Sequence, residues 1–283
     1  MTLFAILLGT VAAGVGSVWL AAVLGFAMLA RFTQHMLSLA AGALMATAFM
    51  HLLPEAFESA AGAHELFALL LAGLVFFFLL DKAELWHHGH EHGQAGMAAD
   101  AGLGGHDHHH PAAGHHHHHA GHHHHAQAEG GLRSGGWTVL AGDSVHAFGD
   151  GILIASAFLA DMRLGVVAAL AVLAHEVPHH MGDLAVLRAT SGTQRAALLK
   201  VSLAGTVTAL GGVTGYFLLS QFADWLPYFL VAASSSFIYV ALADLIPQLQ
   251  KRLSLGQTVA QVLWLVAGIG LVTLVSRFAH HAH

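Results

Sequence analysis

The sequence predicts an all-α integral membrane protein with eight transmembrane helices. Its composition, the spacing of its apolar runs and the placement of its basic residues all point to that class. Of 283 residues, 56% are hydrophobic and only 9% charged, whereas a soluble domain of this size carries about a quarter charged residues. Runs long enough to cross a bilayer, about 20 residues each, fall at 3–30, 36–57, 64–86, 137–160, 164–187, 198–220, 226–249 and 257–278. With the N-terminus outside, Arg31, Lys82, Arg133, Arg188, Arg195, Lys200, Lys251 and Arg252 face the cytoplasm and only Arg163 and Arg277 do not. That is a positive-inside pattern. It predicts a multi-pass protein of the cytoplasmic membrane with both termini extracytoplasmic.

The first run lacks a basic leader and is too long for a signal peptide's apolar core, so it reads as a retained span. The second ends in His51-Leu-Leu-Pro-Glu55. Its i, i+4 pair of His51 and Glu55 suits a metal entrance, and equally a structural helix end. After the third span the chain divides into residues 1–86, a loop at 87–136 and a second membrane half at 137–283. That loop holds 17 of the 27 histidines, in tracts at His87–His92, His106–His110, His115–His119 and His122–His125. Gly, Ala and His fill most of it, so it cannot bury a core and is expected to be disordered. Neutral imidazoles in such tracts bind divalent metals, which favours a buffering or sensing role over a plain linker.

The fourth span carries Asp143, His146 and Asp150 at i, i+3 and i+7, on one helix face. The fifth carries His175, His179 and Asp183 at i, i+4 and i+8, with Glu176 and His180 as an adjacent i, i+4 pair. Each ionisable group at membrane depth costs roughly 2.5–3.5 kcal/mol on insertion scales. Four imidazoles and four carboxylates on neighbouring spans exceed what interhelical hydrogen bonding needs. Together they form a metal-binding shell in which cation and carboxylates offset one another's charge. Pro178 frees the carbonyl of Ala174 within the fifth span, while Gly149, Gly151 and Gly182 permit bending or close backbone approach. With no cysteine in the chain, imidazole and carboxylate must do the binding. That donor set suits Zn(II), Fe(II), Mn(II) or Cd(II) better than Cu(I).

The sixth span contains the small-residue run Gly205-Thr-Val-Thr-Ala-Leu-Gly211, which leaves a homodimer open through close helix packing. The seventh ends in Asp244-Leu-Ile-Pro-Gln248, matching the end of the second in a span of opposite direction. That relation fits an inverted repeat, helices 1–3 and 6–8 around a central pair 4 and 5. Asp244 suits an exit path or a structural role.

His175-Glu-Val-Pro-His179 is also an HExxH string, the zinc-protease pattern in which Glu serves as general base. Against an intramembrane protease stand Pro178 inside the string, the second stripe on span 4 and the His-rich loop. A non-transporting metal sensor is the third reading. The expected partners are divalent cations and the lipid bilayer, with no nucleic acid. No nucleotide-binding motif is visible, so direct ATP drive is not expected.

These residues resemble the ZIP (Zrt/Irt-like) family of divalent metal transporters. His146-Ala-Phe-Gly-Asp150-Gly151 is similar to the family's His-Asn-Phe-x-Asp-Gly. His175-Glu-Val-Pro-His-His-Met-Gly-Asp183 is similar to the His-Glu-x-Pro-His-Glu-x-Gly-Asp pattern of one large subgroup. The resemblance implies uptake of zinc or a similar cation and no enzymatic activity. It implies a first metal site of His146, Asp150, His175 and His179. A second site would use Glu176, with Asp150 and His179 as bridges. Ala147 replaces the usual Asn, and His180 the usual Glu. One well-formed site is therefore expected, the second weak or absent. Metal is expected to enter past Glu55 and to leave past Asp143, Asp183 and His180.

Overall fold

The computed structural model describes residues 1–100, 128–191, 193–249 and 254–281. Its α-helices are α1 (Thr2–Val11), α2 (Ser17–Thr47), α3 (Leu53–Phe57), α4 (Ala63–Asp100), α5 (Ala128–Ala160), α6 (Met162–Ser191), α7 (Gln194–Gln221), α8 (Leu226–Tyr239), α9 (Ile246–Leu249) and α10 (Leu255–His281). There is no strand among the described residues.

Seven stretches among the described residues are long and apolar enough to cross a membrane: Thr2–Leu24, Thr33–Phe57, Ala63–Leu80, Met162–Leu184, Gln194–Gln221, Ala223–Leu249 and Leu255–Phe278. The eighth expected span, 137–160, lies within α5 and is not among the seven. The spans expected at 3–30 and 36–57 correspond to Thr2–Leu24 and Thr33–Phe57, and α2 is helical across the stretch between them. No Gly or Pro stands at 30–36 to stop a helix. The segment expected as a loop, 87–136, is helical at both edges, because α4 continues to Asp100 and α5 begins at Ala128. Its histidine tracts at His106–His110, His115–His119 and His122–His125 lie outside the described residues.

α6 is the axis of the bundle. It packs against α2, α5, α7 and α10, while α5 lies along α7, α4 along α8 and α10 along α2. The α6 span is 67% buried against 6% for that of α4, which places α4 at the rim. Large apolar side chains such as Phe4, Phe76, Leu79, Phe217, Leu263 and Phe278 are exposed, whereas Asp150, Glu176 and His180 are buried. A water-soluble protein has the reverse distribution. This one faces lipid.

Two local distortions follow from proline. Pro54 and Pro247 have no N–H and crowd the carbonyl four residues back, at Met50 and Ala243. At both places the helix widens into a π turn, Ala48–Leu52 and Val240–Leu245. The matched segments His51–Glu55 and Asp244–Gln248 thus share a backbone irregularity as well as a pattern. They are also neighbours: the π turn before α9 packs on α2, and the one before α3 packs on α8.

The α5–α7 contact is made by backbone. A Cβ on Gly151 would collide with the Thr208 carbonyl, and one on Gly211 with the Phe148 carbonyl. Gly205 likewise faces Gly14. The small residues of the sixth span are therefore used in packing within the chain. Gly149 and Gly182 face open space.

Gly211→Ala should lower stability by at least about 1–3 kcal/mol, the usual cost of overpacking. Gly270→Ala, on an exposed face with nothing near its Cβ, should be neutral or stabilising by up to about 1 kcal/mol. Thermal unfolding in one detergent compares them, and equal shifts would contradict the backbone contact.

Candidate metal centre

α5 and α6 are joined through the single residue Asp161. Its Oδ1 accepts hydrogen bonds from the backbone N–H of Arg163 at 2.8 Å and Leu164 at 3.4 Å, capping the start of α6. This tight reversal sets an antiparallel register in which the level of His146 meets His175 and that of Asp143 meets His179. Eight ionisable residues converge there, in three overlapping groups whose ligand atoms lie within 4.8 Å of one another.

The first group is His146, Asp150, His175 and Glu176. Nε2 of His175 lies 3.3 Å from Oδ2 of Asp150, 3.2 Å from Oε1 of Glu176 and 3.4 Å from Nε2 of His146. Nε2 of His146 is 3.6 Å from Oε1 of Glu176 and 3.8 Å from Oδ2 of Asp150. Zinc–nitrogen and zinc–oxygen bonds of about 2.0–2.2 Å make a tetrahedron with edges of about 3.3–3.6 Å. The five separations, 3.2–3.8 Å, lie close to those edges. The His175 ring is also oriented. Its Nδ1 is 3.3 Å from the Ala171 carbonyl, which only accepts, so Nδ1 carries a proton and Nε2 is the ring atom turned to the site. Asp150, His175 and Glu176 are buried, while the His146 side chain is 32% exposed and forms the accessible corner.

The second group is Asp143, His179 and Asp183. Nε2 of His179 is 3.4 Å from Oδ1 of Asp143 and 3.7 Å from Oδ2 of Asp183, with the ring 42% exposed. The third is Asp143, Glu176 and His180, all buried. Here Nε2 of His180 is 3.2 Å from Oε2 of Glu176 and 3.9 Å from Oδ1 of Asp143.

Of the expected ligands, His146, Asp150, His175 and Glu176 stand within 4.8 Å of one another, whereas His179 groups with Asp143 and Asp183. His179 stands one turn beyond His175, a rise of about 6 Å, which brings its ring level with Asp143 rather than Asp150. Asp143, His180 and Asp183, expected only to line a path, have ligand spacing themselves. The expectation that any second site would be weak or absent also meets a different geometry, since two further groups adjoin the first. His51 and Glu55 belong to none of the three. Neither does Asp244, whose Oδ1 accepts from Nε2 of Gln248 at 2.9 Å on the surface. Sequence reasoning missed Ser17 of α2, whose Oγ lies 2.9 Å from Nδ1 of His180. A lone serine in an apolar span gives no periodic signal.

A family model described as ZIP zinc transporter matches residues 1–276. The chain belongs to the ZIP family. It is a multi-pass membrane protein, as that membership and the apolar helices require. Zinc transporter ZIP10 of Danio rerio is 31% identical over 160 residues, covering 54% of this ZIP chain and 19% of the relative. Zinc transporter foi of Drosophila melanogaster is 32% identical over 143 residues, covering 50% and 20%. Zinc transporter ZIP13 of Mus musculus is 29% identical over 274 residues, covering 87% and 70%. The chain thus spans about a fifth of the length of the first two.

If the four-cornered group binds metal, Zn(II) at about 100 times its dissociation constant should add about 2.7 kcal/mol of stability. That gain, read as a thermal shift in detergent, should be lost in His175→Ala. An equal shift in both proteins would place the stabilising metal elsewhere.

Proposed function

We propose that this ZIP protein carries a divalent cation, zinc foremost, inward across the cytoplasmic membrane. Its binding site is His146, Asp150, His175 and Glu176. The observation that carries the reading is the close spacing of two imidazoles and two carboxylates among lipid-facing helices, with Asp150, His175 and Glu176 buried. Two carboxylates balance a divalent charge, and four ligands replace the water a cation sheds on leaving solution. The names of the relatives support zinc as the cargo. Fe(II), Mn(II) and Cd(II) suit the same donors.

The site also argues against hydrolysis. A catalytic zinc keeps three protein ligands and one position for water, whereas Glu176, the general base of an HExxH protease, here occupies a ligand corner. The half-exposed rings of His146 and His179 give a graded route. On the proposed orientation, with both termini extracytoplasmic, cargo enters from the side of Glu55. It passes His146, then Asp143, His179 and Asp183, toward the His-rich segment.

Proteoliposomes loaded with a zinc-sensitive dye test this directly. Wild type should take up Zn(II). His175→Ala should lose apparent affinity by more than about tenfold, because disturbing even an outer-shell partner costs 10–100-fold. Glu176→Gln should also change affinity or flux; a protease would instead keep its zinc and lose only turnover. Imidazoles bind metal only when neutral and so compete with protons for it, so the KM should rise as pH falls. A KM indifferent to pH, or uptake unchanged in His175→Ala, would rule out the imidazole site.

A further inference from the structure

Three π turns interrupt the described helices, and two of them stand ahead of a proline. The third, Ala12–Gly16 between α1 and α2, does not, since Pro54 is the first proline of the chain. A π turn holds one residue more than an α turn. The residues after it therefore face about 100° away from where an unbroken helix would put them. Packing, not local sequence, has to hold such a turn in place. A Cβ on Gly14 would collide with the Gly205 carbonyl and the Thr208 hydroxyl of α7. The first residue past the turn is Ser17, which is buried, and its Oγ lies 2.9 Å from Nδ1 of His180 on α6.

His180 is buried as well, and its other nitrogen faces the metal centre. Nε2 lies 3.2 Å from Oε2 of Glu176 and 3.9 Å from Oδ1 of Asp143. Oε1 of the same Glu176 faces His146 and His175. The Ser17 hydroxyl has one proton and two acceptors in reach, Nδ1 of His180 and the Gly14 carbonyl at 2.7 Å. Helical serines bond such carbonyls readily, and rotation of the O–H bond alone redirects the proton. Given to the carbonyl, it would leave the Nε2 lone pair against two buried carboxylates. Given to Nδ1, it puts the ring proton on Nε2, where its positive end meets them. Electrostatics favours the second state. The Nε2 to Oε2 contact is short but outside hydrogen-bond alignment, so its attraction is that of a ring dipole for a charge.

We infer that Ser17 is a positioning residue of the metal centre, which through His180 keeps Oε1 of Glu176 turned to His146 and His175. This rests on the reading of His146, Asp150, His175 and Glu176 as the transport site. A glutamate's terminal torsion is broad, and a carboxylate that swings spends binding energy on being ordered. Outer partners that orient ligands lower that cost. The first span thus takes part in binding although it supplies no residue to any of the three groups.

Zn(II) uptake into proteoliposomes, with KM and kcat measured separately, tests the chain of contacts. KM reads the transport site and not the histidine tracts. Ser17→Ala should raise KM by about 3–10-fold, the worth of one hydrogen bond. His180→Leu should raise it by about 10–100-fold, as loss of an orienting partner does. Adding Ser17→Ala to His180→Leu should then change KM no further. A serine that only packs would lower the unfolding temperature of the metal-free protein and leave KM alone, and that result would overturn the inference. So would effects of the two substitutions that multiply, because Ser17 would then act apart from His180. Should His180→Leu not fold, the KM of Ser17→Ala still decides. His175→Ala is the control: uptake unchanged there would sink the transport-site reading, whereas uptake lost there with a wild-type KM in Ser17→Ala sinks this inference alone.

Discussion

A carboxylate moved from water into an apolar interior costs several kcal/mol unless its charge is met there. Asp143, Asp150, Glu176 and Asp183 all lie in such surroundings, between two helices of a lipid-facing bundle. Four imidazoles stand among them, each ligand nitrogen within 4 Å of a carboxylate oxygen, the donor set of a site whose cation would supply that charge. Placement of these eight groups sets demands on everything around them. α5 and α6 must be antiparallel and in fixed register, which the Asp161 cap provides. The rings must not turn, which the Ala171 carbonyl and Ser17 ensure for His175 and His180. Water must be limited, which the packing of α2 and α7 on this pair accomplishes.

The rest of the bundle divides by how it answers that demand. α7 and the α1–α2 segment approach closely, glycine to backbone, and supply little beyond packing and the Ser17 hydroxyl. α4 and α10 expose most of their surface to lipid and stay at the rim. Between them, α2 with α3 and α8 with α9 form a pair of helices, each widened by a π turn ahead of a proline. A π turn changes which side of a helix its following residues face. The two turns are thus a matched way of redirecting the ends of two neighbouring spans.

Much of this was legible in the sequence because its signals are local. Apolar run lengths gave the spans, and i, i+3, i+4 spacing gathered the eight ligands onto two faces. Prolines 54 and 247, with their matched neighbours, announced a relation that the backbone repeats. Legibility ended where the answer depends on depth along two helices at once. Spacing places His175 and His179 on one stripe, a turn apart, but does not say which residue of α5 lies level with each. Nor does it say that the longer Glu176 reaches the corner that His179 cannot. Ser17 was invisible for a similar reason: its role depends on a residue 163 positions away. Spans were easier to read than helix ends: α2 runs on through 30–36 and α4 through 87–100, because neither polarity nor glycine alone stops a helix there.

The contact of Gly151 with the Thr208 carbonyl and of Gly211 with the Phe148 carbonyl has a mechanical meaning. Two helices separated by side chains can slip, since rotamers re-sort to fill the gap. Here no side-chain layer intervenes. Sliding α5 along α7 would carry each glycine off the peptide group it fits and bring bulkier parts of the helix against it. The helix that bears His146 and Asp150 is therefore geared to its neighbour like a tooth in a notch. Displacement of one is displacement of both, without slack between the ligands and the far side of the bundle.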